Sequence, residues 1–250
     1  MIENKRELEK SGEALVIGFD LEWTKNYRVK NGNKPFCFSF VFFEKPLKLT
    51  DLEKYFEFGF YSCYCERSED AQPLIERADE LLGKFLRSSM RITIVGHQLS
   101  SDIAVIINYA GEKNVPNFIK LRDLWRNRKI ATDKERFVEV FDSRYDLDFL
   151  SQKSRRLVDV CDECKLVVVQ PEIVSSMTKM HNDFCNSGDT KTMEMLSVLN
   201  IRHSLSAMIL FLLSQRRGKL KKKTNVNKIL FDNLKKYFAY VETEAFKKLL

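Results

Sequence analysis

The chain has 250 residues, 44% hydrophobic and 31% charged, with 42 Lys and Arg against 35 Asp and Glu for a formal net charge of +7. Six cysteines are too few for a disulfide scaffold, and the lack of an apolar run of about 18 residues argues against a membrane span. The opening "MIENKRELEKSGEA" is charged where a signal peptide needs an apolar stretch, so a globular cytoplasmic protein with free buried thiols is expected.

In chain order, "ALVIGFDLEW" (14–23) and the aromatic "FCFSFVFF" (36–43) read as two strands of a hairpin, joined by the polar "KNYRVKNGNKP". A third strand follows in "YFEFGFYSCY" (55–64). The spacing then turns helical over 68–88, with Leu74, Ala78, Leu81, Leu82 and Phe85 on one side. "RITIVG" (91–96) is a fully apolar strand of the kind buried on both faces. It runs into "HQLSSDIAVIINYAG", a helix that Ser100 or Ser101 can cap and Gly111 can end.

Residues 117–129 are expected as a helix, 136–145 as a strand, and 154–166 as a helix with Leu157, Val160, Cys161 and Cys164 facing the core. From Ile173 to Ser214 the pattern is helical with a break at "NSGD" (186–189), and its second part is so apolar that it must be buried. "QRRGKLKKKTNVNK" (215–228) holds seven Lys or Arg and no acid, which suits either a solvated linker or a phosphate backbone. An amphipathic helix closes the chain. This order predicts an α/β domain over 1–214, a mixed central sheet flanked by helices, followed at 215–250 by a basic linker and a C-terminal helical extension.

Asp20 and Glu22 stand at i and i+2 of the first strand and therefore share a face. A bare carboxylate pair there repels itself, and a hard cation such as Mg2+ or Mn2+ removes the repulsion. In "IVGHQLSSDIAVI" a buried strand ends in Gly-His and Asp102 falls in the first turn of the next helix, at the edge of the sheet.

"FDLEW" and, about 80 residues later, "GHQLSSDI" together resemble the first two motifs of the DEDD 3′–5′ exonucleases, in the ribonuclease H-like superfamily. In that family these read roughly (F/A)D-(T/I/L)-E-(T/W) and (G/A)HN-x-x-x-D, so Gln98 stands where Asn is more usual. The resemblance covers about residues 12–214, and "VFDSRYDLDFL" with the helix after it looks like the family's segment before the third motif. The third motif itself departs. Aligned on the family's Tyr branch, Leu199 takes the Tyr position and His203 the Asp position; aligned on its His branch, His203 matches but the Asp position is Met208.

What the resemblance implies is a ribonuclease H-like fold and hydrolysis of phosphodiester bonds at the 3′ end of single-stranded DNA or RNA, with no membrane partner. Two divalent cations, Mg2+ or Mn2+, would be held by Asp20, Glu22, Asp102 and His203. His203 is then either a ligand through a ring nitrogen or the general base that activates water. Phe19, Leu21, Trp23 and His97 would line or support the terminal-nucleotide pocket, and Arg202 would contact phosphate. The rival expectation is an exonuclease-fold module that lacks activity and grips nucleic acid or a partner protein. Zinc at "CDEC" (161–164) or "CYC" (63–65) is the poorer account of those cysteines, which suit buried thiols, and His181 follows no ligand spacing.

Overall fold

A computed structural model describes residues 1–8, 14–25, 32–45, 56–67, 70–130, 137–150, 155–169, 173, 175–216, 220 and 222–250. Most of the turn expected at 25–35, the start of the third expected strand, and residues 217–219 and 221 of the basic run lie outside these.

Six strands form one sheet: β1 (Ile2–Arg6), β2 (Ala14–Thr24), β3 (Lys34–Lys45), β4 (Gly59–Tyr64), β5 (Arg91–Gly96) and β6 (Val138–Asp142), in the order β1-β4-β3-β2-β5-β6. Pairing is antiparallel from β1 to β2 and parallel for β2 with β5 and β5 with β6. The fold is thus α/β with a mixed central sheet, as the pattern of elements predicts. Strand β1 was not expected, because its charged residues break the apolar alternation. They suit an edge: Glu3 accepts from Arg77 Nε at 2.8 Å and shields the open flank of the sheet.

Helices α1 (Ala71–Leu86), α2 (Leu99–Ala110) and α3 (Pro116–Asn127) cover one face. Leu15, Ile17, Phe19 and Leu21 of β2 point into that core. The other face is covered by α6 (Thr190–Gln215), which packs with Val16, Val41 and Val95 in a second core. With both faces buried, the central strands are apolar throughout rather than alternating. Between these elements lie α4 (Leu157–Glu163), β7 (Leu166–Val167) and α5 (Met177–Ser187). The break before α6 sits where expected: Gly188 adopts a left-handed φ of 70°, and Asp189 caps α6 by accepting from the N–H groups of Lys191 and Thr192.

The C-terminal helix does not run unbroken. Strand β8 (Thr224–Asn225) pairs with β7, then α7 (Val226–Leu234) gives way to a 3-10 turn at Ala239–Glu242 and a short α8 (Glu244–Lys247). Tyr240 and Val241 lie in that turn, and both are buried. The Tyr240 N–H donates to Glu194 Oε2 of α6 at 2.7 Å, and Thr243 caps the last helix. This segment is part of the second core, with Val226, Ile229, Leu230, Leu234, Phe238 and Phe246 all buried.

Helix α6 is apolar on every side because it lies between the sheet and this segment. By length and composition it could cross a membrane, with a mean hydropathy of 1.6 over 18 residues, but 94% of that window is buried within the protein.

Candidate metal centre

The site begins with Gly18. A Cβ there would lie 2.5 Å from the Ser204 carbonyl and 2.6 Å from Met208 Sδ, so the missing side chain lets α6 lie directly on β2. Ser39, opposite Asp20 in the β2–β3 register, holds the crossing with a 2.8 Å contact from its hydroxyl to that of Ser204. With α6 seated so closely, residues one turn apart on its inner face, Asn200 and His203, meet the next two side chains on that face of β2, Asp20 and Glu22.

His203 Nδ1 is 3.1 Å from Glu22 Oε1 and 3.4 Å from Asp20 Oδ2. Potential ligand atoms of Asp20, Glu22 and His203 lie within 4.8 Å of one another. Their side chains retain 13%, 16% and 23% exposure, so the cluster is recessed but reachable from solvent.

Asp102 approaches from the other neighbour of β2. The parallel pairing of β2 with β5 ends at Gly18–Val95, and β2 continues past it while β5 turns into α2. On the flank thus vacated, the Leu21 N–H bonds the Asp102 carboxylate. Asp102 is 3% exposed, and its Oδ2 has no hydrogen-bond partner among the described residues. It stands beside the cluster of three without belonging to it.

The turn that delivers Asp102 differs from the expected cap. Neither Ser100 nor Ser101 is the N-cap; that place falls to Gln98, in the left-handed region at φ 64° and ψ 37°. Its N–H donates to Asp142 Oδ1 at 2.9 Å and its amide to Ser101 Oγ at 2.8 Å, which hold a conformation that Asn adopts more readily than Gln. The indole N–H of Trp125 donates to the second oxygen of Asp142 at 3.0 Å. His97 Nδ1 lies 2.9 Å from Ser143 Oγ, whose hydroxyl is also 3.1 Å from the Gly96 carbonyl. Burial lowers the His97 pKa to about 4, so the ring is neutral.

Burial pushes the Asp20 carboxyl up to about 7 despite the pull of His203. For His203 burial opposes the charge, yet Asp20 and Glu22 overcome it and lift the imidazole to about 10. Burial, then the charges of Asp20 and Glu22, raise Asp102 well above the usual carboxylate range. An imidazolium therefore makes the carboxylates tolerable side by side in the absence of a cation. The set nonetheless suits one: carboxylate oxygens, an imidazole, and an orphaned buried oxygen on Asp102 are the donors that Mg2+ or, with nitrogen included, Mn2+ accepts.

The remaining site residues read from the sequence lie elsewhere. Strand alternation turns Phe19, Leu21 and Trp23 to the opposite face from Asp20 and Glu22. Phe19 is fully buried between Phe40 and Phe118, with ring centroids at 4.8 and 5.4 Å, and Leu21 is buried beside it, so neither lines an opening to solvent. Trp23, after a register shift at the end of β2, is half-buried against the same core. Arg202 points away from the cluster: it is 1% exposed and its guanidinium lies 5.9 Å from the Phe246 ring, beyond the reach of a phosphate in solvent. Sequence reasoning missed Asn200, whose Nδ2 donates to Asp20 Oδ2 at 2.7 Å. Its signal was its position three residues before His203 on an apolar helix. His181, left aside in the sequence, is buried with Nδ1 2.9 Å from the Tyr64 hydroxyl, and all six cysteines are free thiols.

Compared with models of protein families, with curated proteins and with solved structures, the chain matches none.

Proposed function

We propose that this protein is a metal-dependent 3′–5′ exonuclease of the DEDD type, with a ribonuclease H-like fold, acting in the cytoplasm on single-stranded ends of DNA or RNA. The observation that carries this is the convergence of Asp20, Glu22 and His203 within 4.8 Å, beside the buried, unpaired oxygen of Asp102. The hairpin, third strand and helix that lie between the two motifs also follow the order that the sequence resemblance implies.

In this reading Asp20, Glu22 and His203 hold a divalent cation, with Asp102 available to a second. Such cations make water nucleophilic at neutral pH and neutralise charge on a phosphodiester. His203 must give up its Nδ1 proton to ligate, so metal and proton compete for one nitrogen. In the same reading His97, held by Ser143, supports the terminal-nucleotide pocket.

A second reading has a specific observation behind it. The His203 imidazolium, 3.1 and 3.4 Å from the two carboxylates, satisfies the cluster without a cation, as in an exonuclease-fold module that only binds nucleic acid or a partner protein.

The test is incubation with 3′- and 5′-labelled single- and double-stranded DNA and RNA, with Mg2+ or Mn2+. Stepwise loss from the 3′ end is expected, falling at least about a hundredfold in Asp20→Ala, in line with loss of a group that acts in the transition state. Activity that survives Asp20→Ala sinks the assignment, and salt-sensitive binding with no cleavage selects the second reading.

A further inference from the structure

Asn200 touches the cluster, and the chemistry above leaves it without a role. It is fully buried, and its Nδ2 donates to Asp20 Oδ2 at 2.7 Å while its Oδ1 has no hydrogen-bond partner among the described residues. Leaving a buried amide oxygen unpaired is costly, so an apolar residue would suit this helix better unless the contact with Asp20 matters. The contact also fixes the amide, since the reverse orientation would set Oδ1 against a carboxylate oxygen.

Asn200 precedes His203 by three residues, and both reach the same oxygen of Asp20, at 2.7 and 3.4 Å. Two groups of α6 thus hold that oxygen of the Asp20 carboxylate. The amide contributes a donor where a carboxylate would contribute a ligand oxygen. The cluster is therefore short of one negative charge and one hard oxygen, which disfavours a small cation that demands oxygen ligands.

We propose that Asn200 is a positioning residue that orients the Asp20 carboxylate and biases the cluster toward Mn2+ over Mg2+. This rests on the cluster being a cation site. Asn200→Asp replaces the donor by a ligand oxygen in nearly the same volume. It brings a fourth carboxylate to the site, from a position on α6 one turn before His203.

The experiment is calorimetric titration of the full chain with MnCl2 and with MgCl2, for the wild type, Asn200→Ala and Asn200→Asp, alongside thermal melts with and without each salt. Asn200→Ala is expected to weaken Mn2+ by about 10–100-fold, the usual effect of losing a group that orients a ligand. Asn200→Asp is expected to tighten Mg2+ about tenfold or more and to narrow the preference for Mn2+. It should also melt lower without metal and recover with Mg2+. A merely structural role moves the melting temperature and leaves the Mn2+ to Mg2+ ratio unchanged. If Asn200→Ala does not fold, the ratio in Asn200→Asp decides. Wild-type uptake of Mn2+ with an unaltered ratio in Asn200→Asp overturns this inference alone; a wild type that takes up neither cation overturns it together with the metal site.

Discussion

His181 is held neutral against solution chemistry. It is 4% exposed, stacked on Phe36 at 4.2 Å and bonded through Nδ1 to the Tyr64 hydroxyl, and burial lowers its pKa from 6.5 to about 4. The unfolded chain takes up a proton below pH 6.5 while the folded one resists until about 4. Stability is therefore present above 6.5, is lost as the pH falls from 6.5 to 4, and changes no further on this account below that. At about 1.4 kcal/mol per pKa unit the loss is roughly 3 kcal/mol. Urea unfolding at stepped pH should show it, with a shallower slope in His181→Gln; equal slopes in both proteins would contradict it. At this scale Asp20 and Glu22 were legible because the two-residue period of a strand decides which side chains share a face. Asn200 and Arg202 were not. Helix α6 is apolar on all sides, so no stripe says which of its polar residues meets the sheet, and Arg202 was assigned to the site while Asn200 was passed over.

Helix α3 shows how elements fix one another. Its own N-cap position is Val115, which offers no side-chain acceptor, and Pro116 begins the helix. The cap comes from Asp79 of α1, whose Oδ1 accepts from the N–H groups of Asn117 and Phe118 at 3.0 Å each, with Asn117 Nδ2 at 2.7 Å from Oδ2. Loss of a cap costs about 0.5–2 kcal/mol, and a deletion that strands buried donors falls at the upper end. Asp79→Ala should therefore lower the urea midpoint by an amount equal to about 2 kcal/mol, and Asp79→Asn should recover part of it; an unchanged midpoint would show that water replaces the cap. Helix α1, with its apolar residues on one helical period, and β2 and β5, as short apolar runs buried on both faces, were readable from the sequence with their approximate bounds. The break in the C-terminal segment was not, because the turn at Ala239–Glu242 is tied through the Tyr240 N–H to Glu194 of α6, a partner that no local pattern shows.

On the scale of the whole molecule, the C-terminal segment read from the sequence as an extension at 215–250 is a wall of the second core. Fully burying a large apolar side chain is worth about 1.5–3 kcal/mol, so the set from Val226 to Phe246 rivals the roughly 5–15 kcal/mol by which a whole domain is stable. A chain ended after Gln215 should lose its cooperative thermal transition in calorimetry, and a transition within a few degrees of the wild type would refute this.

The place of α6 also sets an order of events during folding. Strands β2 and β3 pair at the centre of the sheet, yet the helix that covers one of their faces begins at Thr190. Until that distant segment docks, Val16, Val41 and Val95 present an uncovered apolar surface, and so do the buried apolar residues of α6. Contacts so far apart in sequence close slowly. The closure that brings His203 to Glu22 is thus also the step during which the chain is most exposed to aggregation.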